Sequence, residues 1–345
     1  MPTPRTLVAT GAVAILATGL GGCRYNGFTD TEARTASTGA TAWLRDQQLA
    51  DGSFELAGFP GFETADAVIA IAEEAQTGGG WSQAEALAAV EATVTGGHDP
   101  LDVLDDQADG TINAGTAAKL TVLVALPLGL SPTAFDPQGD GGRDLLAAID
   151  AGLQPSGSYG TFGATLLAAI AKKAAGQTVP ATTVAHIRAA QKADGSWDYL
   201  GDPTGTGTDV DTTAQAVTAL VAAGLREDDP DLHAGLSFLA DQQSATGAWQ
   251  SYGTDDPNAT AVATMAVTGA GYDPRSACWR DLFAPGRAGD PYVSPTEWLA
   301  GQQAADGHIT SPNDGWGVNT FATSQSIQAL RRQWMPATAI APRPC

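Results

Sequence analysis

The segment Gln191-Lys-Ala-Asp-Gly-Ser-Trp197 and the run Thr213-Ala-Gln-Ala-Val-Thr-Ala-Leu-Val-Ala-Ala223 behind it decide the fold. Asp-Gly ends a helix, because glycine readily takes the left-handed conformation of a C-cap. The Thr-led run is rich in small residues nearly all round, which suits a helix buried on several sides. The same string recurs at Gln48 (Asp51, Gly52, Ser53, Phe54), and looser copies stand at Gln243 (Thr246, Gly247, Ala248, Trp249) and Gln303 (Asp306, Gly307, His308, Ile309). Copies shortened by one residue follow Gln107 (Asp109, Gly110, Thr111, Ile112) and Gln154 (Ser156, Gly157, Ser158, Tyr159). After each comes a Thr opening an Ala-rich stretch: Thr64, Thr116, Thr165, Thr213, Thr260 and Thr323, separated by 52, 49, 48, 47 and 63 residues. The period is therefore about 50 residues, the mark of a repeat architecture. The stretch before each Gln is helical by periodicity, as in Trp43, Leu44, Gln47, Gln48 or Phe238, Leu239, Gln242, Gln243. No strand alternation is evident. Two helices per unit, outer and inner, times six, predict an all-α ring, and closure would remove the need for capping repeats.

Composition bounds the function. The chain has 345 residues, 17 Lys+Arg against 38 Asp+Glu, and a net charge of −21. There is no basic surplus to neutralise phosphates, which excludes nucleic acid as a partner. Binding to anionic membranes by charge is equally disfavoured. The 41 glycines exceed the usual share and belong to caps and loops.

The N-terminus reads as an address. Arg5 precedes an apolar run, Leu7 to Leu20, that is too short for a ~20-residue span but right for a signal core. Leu20-Gly21-Gly22-Cys23 resembles the bacterial lipoprotein cleavage box, which implies acylation of Cys23; a plain signal cleaved nearby is the alternative. The expected organisation is a signal peptide over residues 1–22, a flexible tether over 23–40, one toroid over 41–334 and a Pro-rich tail over 335–345. With Cys23 lipidated, Cys278 and Cys345 remain as a candidate disulfide in an oxidising compartment, free thiols being the alternative.

The Gln-x-x-Asp-Gly-Ser-Trp units resemble the Gln–Trp repeats of the squalene-cyclase and prenyltransferase superfamily over about Thr41 to Trp334. That resemblance implies an (α/α)6 toroid of six helix-hairpin repeats. It also implies that Gln48, Gln191, Gln243, Phe54, Trp197 and Trp249 are structural glue.

A ligand in such a toroid sits where inner-helix N-termini converge, and long loops favour the second half of the chain. Two residues before each Thr stand Phe62, Ala114, Gly163, Asp211, Asn258 and Phe321, so only repeats four and five place polar groups there. Asp209-Val210-Asp211-Thr212-Thr213-Ala214 resembles the Asp-x-Asp-Asp-Thr-Ala motif of class II terpene cyclases, which implies Asp211 as an alkene-protonating acid, although Thr212 replaces the third Asp. The same string is similar to the transcobalamin and intrinsic-factor barrel, whose members bind and do not catalyse. No small domain follows Trp334 to close over a cobalamin, so no cofactor is expected. A plain reading of Asp211 is a helix N-cap.

The candidate ligand-binding set is Asp209, Asp211, Thr213, Gln215, Tyr252, Asn258, Trp316 and Asn319, with Asp256 and Asp314 on the same loops. Metal binding is not expected, since the four His (His98, His186, His233, His308) are scattered and no Asp–Cys–His set surrounds Cys278. Phosphate-binding Gly-rich loops and Gly-x-Ser-x-Gly are absent. The sequence thus predicts an exported, lipid-anchored, monomeric toroid binding a small-molecule or cell-surface ligand, more a binder than an enzyme. A class II cyclase with Asp211 as acid and a glycan-active (α/α)6 enzyme are the alternatives.

Overall fold

The computed structural model describes residues 27–54, 63–77, 80–207, 209–313 and 320–331. Cys23, Trp316, Asn319 and Cys345 lie outside the described residues, as do the signal segment and the tail. Cys278 is disulfide-bonded. No helix of the described residues is long and apolar enough to cross a membrane.

The chain is an all-α toroid. Its outer helices are α1 (Asp30–Asp46), α4 (Pro100–Asp109), α7 (Leu145–Ala151), α9 (Ala181–Ala189), α11 (Pro230–Gln242) and α14 (Pro295–Gly301). The inner ones are α2 (Thr64–Glu74), α5 (Ala114–Leu120) continued by a π turn (Thr121–Ala125) into α6 (Leu126–Leu128), α8 (Phe162–Ala174), α10 (Val210–Ala222), α12 (Pro257–Gly269) and α15 (Thr320–Arg331). Two further helices, α3 (Gln83–Glu91) and α13 (Cys278–Phe283), lie outside this alternation. The inner helices pack in chain order, and α15 packs on α2 and α1, which closes the ring. A two-residue hairpin, β1 (Gln250–Ser251) with β2 (Thr254–Asp255), is the only named sheet among the described residues.

The repeat landmarks hold neighbouring units together through the backbone. Gln191 Nε2 donates to Gly195 C=O at 3.0 Å within its own turn and to Asp231 C=O at 2.8 Å in the next repeat. Gln48 Nε2 does the same with Gly52 and Thr93, both at 3.1 Å. In the last repeat Gln303 Nε2 reaches Gly307 C=O at 2.9 Å and Ala36 C=O at 2.8 Å, so the sixth unit is tied to the first. The turns abut the next outer helix closely: a Cβ on Gly195 would sit 2.4 Å from Ala234 O, and its φ is +88°. Only glycine fits both constraints. Trp197, fully buried, donates from Nε1 to Ile187 C=O at 2.7 Å and packs over Gly235.

Two expectations change. Residues 30–40 are helix rather than tether: Thr29 and Glu32 form a capping box for α1, and Ala33, Ala36 and Ala40 are buried. The repeat Thr opens the inner helix only in repeat one, where α2 begins at Thr64; in the other five it lies inside the helix. Thr165, Thr213 and Thr260 lie in its first turns, and their hydroxyls accept the backbone N–H of Tyr159, Trp197 and Trp249 at 2.9–3.0 Å. Thr323 does the same for Ile309 at 2.9 Å. Caps come four residues earlier in these helices: Thr161, Asp209 and Asp256 accept the first orphan N–H groups. In repeat two the cap is Asn113, so the position equivalent to Thr213 is Ala117, not Thr116.

Candidate active site in the central cavity

Counting from these caps shows which face of each inner helix looks inward. Residues six and nine beyond the cap line a central cavity of about 190 Å³: Leu167 and Ile170 on α8, Gln215 and Thr218 on α10, Val262 and Met265 on α12. An i, i+3 pair falls on one helical face. Lys119 and Leu123 serve repeat two, the π turn adding one residue between them. Asp66, Phe321, Gln325 and Gln328 complete the wall. A second lobe of about 320 Å³ shares Lys119 and Leu167 with the first. At this junction Lys119 Nζ lies 2.6 Å from Asp66 Oδ2. The wall is half aliphatic or aromatic and half amide, hydroxyl and ion pair, which suits an amphiphilic organic ligand.

Asp211 stands on α10 one turn before Gln215, on the face that Gln215 and Thr218 present to the cavity. The residue is partly exposed, yet its Oδ1 is shielded from solvent and has no hydrogen-bond partner. The plain reading of Asp211 as helix cap is therefore corrected: the cap is Asp209. Asp209 Oδ1 accepts Asp211 N–H at 2.9 Å and Thr212 N–H at 3.3 Å, and Oδ2 accepts the Thr212 hydroxyl at 2.8 Å.

Asp256 caps α12 in the same way, accepting Ala259 N–H at 3.0 Å. Its Oδ2 accepts Asn313 Nδ2 at 2.8 Å and the Ser311 hydroxyl, which ties repeat five to the repeat-six loop. Burial pushes the Asp211 carboxyl up to about 8, and the negative charges of Asp209 and then Asp256 push in the same direction. A position in the first turn of a helix favours the anion by only ~0.3–1 kcal/mol, which these effects outweigh. Asp211 is thus a neutral acid at pH 7, flanked by two carboxylates that the backbone holds in place.

The other predicted residues divide. Gln215 lines the cavity. Asn258, two residues before Thr260 as Asp211 is before Thr213, carries a buried Oδ1 without a partner. The Thr213 hydroxyl is engaged by the fold, accepting Trp197 N–H and donating to Asp209 C=O at 2.7 Å, and the residue is fully buried. Tyr252 is 95% exposed at the hairpin tip with φ +49°, and it is not among the described residues that line the cavity. Asp66, Lys119, Gln325 and Gln328 were not expected from the sequence; long polar side chains inside otherwise Ala-rich inner helices are the signal that marks them.

No family model matches the chain, and no curated protein matches it in sequence. In three dimensions the chain is similar to the type II terpene cyclase MstE from Scytonema. It shares 16% identity with the apo form over 88% of this chain and 98% of that one, at a TM-score of 0.60. An MstE variant holding the substrate geranylgeranyl dihydroxybenzoate matches at 15% identity, 89% and 98% coverage and a TM-score of 0.61. Another, holding the product merosterolic acid A, matches at 16% identity, 88% and 97% coverage and 0.60. At such identities the likeness is one of fold, the (α/α)6 toroid.

Proposed function

We propose that the chain is a class II terpene cyclase-like enzyme, in which Asp211 protonates an alkene of a polyprenyl substrate held in the central cavity. The observation that carries this reading is the partnerless, solvent-shielded Oδ1 of Asp211, on a carboxyl that keeps its proton at neutral pH. A neutral acid with no competing hydrogen bond, set above a partly apolar cavity, is what proton donation to a C=C bond requires. The likeness of fold to a terpene cyclase supports the same reading. The transcobalamin likeness rests on two short strings, Asp209–Ala214 and Thr218–Leu220.

The Asp211 proton goes to the less substituted alkene carbon, the π pair becomes the new C–H bond, and a tertiary cation and the Asp211 carboxylate remain. A second C=C bond of the substrate then attacks the cation, and a proton is finally lost to water or a base. The two neighbouring carboxylates raise the cost of ionising Asp211, but they stabilise the cation that forms beside them in a site of low dielectric. Phe321 lines the same cavity, and an aromatic face stabilises a nearby cation. Export and anchoring at Cys23 belong to the same proposal and rest on the N-terminal sequence.

The test is incubation of the purified protein with geranylgeranyl-bearing substrates in D2O. Cyclised product carrying one deuterium on the initiating carbon is expected, and its loss in Asp211→Asn. Unchanged turnover in a folded Asp211→Asn would overturn the role of Asp211.

A further inference from the structure

We propose that the loop between α6 and α7 holds a calcium ion against α4 through the carboxylates of Asp105, Asp136 and Asp140. An oxygen from each of the three lies within 4.8 Å of the others. Two oxygens on one ion can be at most two metal–oxygen bonds apart, roughly 4.6–5.2 Å for Ca²⁺. The spacing is therefore compatible with that ion.

Asp105 supplies the independent evidence. It is 2% exposed, its Oδ2 accepts Gln138 N–H at 2.9 Å, and its Oδ1 is buried with no partner. A buried carboxylate oxygen left bare is costly. Here the groups facing it are acids: burial raises the Asp105 carboxyl, and the charges of Asp136, Asp109 and Asp140 add to the effect. No Lys, Arg or His among the described residues forms an ion pair with Asp105, Asp136 or Asp140. The nearby Arg143 instead donates to the carbonyls of Ala108 and Asp109, at the end of α4.

The loop is built to present its acids. Phe135 and Arg143 exchange backbone hydrogen bonds at 2.8 and 3.0 Å, closing the loop at its base. Asp136 Oδ1 accepts the N–H groups of Asp140 and Gly141 at 2.9 and 3.3 Å. Gln138 Nε2 donates to Asp102 C=O at 2.8 Å, pinning the loop onto α4. Three acids so fixed repel one another unless a cation lies between them, and hard oxygen donors select calcium or magnesium over softer metals. Carboxylates that can each bind through one or two oxygens suit the six- to eight-oxygen shell of calcium better than the tight octahedron that magnesium demands. The ion would staple repeat two to the start of repeat three, remote in role from the proton donor.

The full protein, freed of metal with EDTA and exchanged into moderate salt, is titrated calorimetrically with CaCl2 and with MgCl2, and its thermal unfolding is followed. One Ca²⁺ per chain is expected, with Tm raised by about 2–4 °C at ~10 mM Ca²⁺ and a smaller response to Mg²⁺. Asp136→Asn/Asp140→Asn should lose both effects, and its calcium-free Tm should equal or exceed that of the parent because repulsion is relieved. If the pair fails to fold, Asp140→Asn at its exposed position carries the same test. Absence of stoichiometric binding, binding unchanged in the variants, or an equal response to Mg²⁺ would overturn the assignment.

Discussion

Asp209 and Asp211 stand two residues apart and have opposite roles: Asp209 Oδ1 accepts the backbone N–H of Asp211 at 2.9 Å, while Asp211 Oδ1 accepts nothing. The first carboxylate completes the helix, and the second, bare at Oδ1, keeps its proton at pH 7. This division makes each side chain separately testable.

Asp211→Asn removes the acid and keeps the shape. A positioned general acid contributes about 10²–10⁴-fold, so product formation should fall by at least that factor in a protein with unchanged circular dichroism. Stability should respond in the other direction. Because the folded pKa of Asp211 is raised to about 8, its stabilising contribution is complete below the unfolded value near 4 and is lost as pH rises through 8. Relative to the parent, Asp211→Asn should therefore gain in Tm between pH 5 and pH 9. A constant difference across that range would show that Asp211 does not titrate as described.

Asp209→Asn keeps a cap, since Asn accepts backbone N–H groups as well as Asp does, but removes one of the two charges that raise the Asp211 carboxyl. Turnover of the parent should decline as pH rises through about 8, when Asp211 loses its proton. In Asp209→Asn the midpoint of that decline should move to lower pH, with little change in stability. Asp209→Ala should in addition cost ~0.5–2 kcal/mol in urea unfolding through loss of the cap.

The sequence carries the ring more openly than the site. Gln191 and Thr213 are visible as landmarks because each makes fixed backbone bonds in its repeat, and such bonds tolerate little else. Which of Asp209 and Asp211 is the cap was not legible, because it depends on where the helix starts, and the Thr taken as the start lies four residues inside it. The cavity wall is only partly hidden for the same reason: Leu167, Gln215 and Val262 stand two residues after their repeat Thr, but Lys119 joins them only when Asn113, rather than Thr116, is the reference. The pinning of Asp256 by Asn313, from a loop some 57 residues onward, has no local signature at all.

Lys119→Met should leave Asp66, only 7% exposed, without its counter-charge in the cavity wall. Removing one partner of a buried pair costs up to ~3–5 kcal/mol, and the cavity-facing position of this pair should hold the loss nearer ~1–3 kcal/mol. The double variant Asp66→Leu/Lys119→Met should recover most of that loss in urea unfolding. Failure of the second substitution to recover any stability would mean that Lys119 contributes by packing rather than by charge.

Ring closure can be tested at Gly307. A Cβ there would lie 2.3 Å from Gly39 O on α1, at φ +106°, so alanine meets both backbone strain and a collision with the first repeat. Gly224 has nearly the same handedness, φ +92°, but nothing within 4 Å of its Cβ, and isolates the strain alone. Gly224→Ala should therefore cost ~1–2 kcal/mol, the penalty of a left-handed L-residue. Gly307→Ala should cost clearly more, because backbone carbonyls cannot yield as a flexible side chain can, and the contact between first and last repeats must open. If the two variants unfold at the same urea concentration, the sixth repeat is not closed on the first in solution.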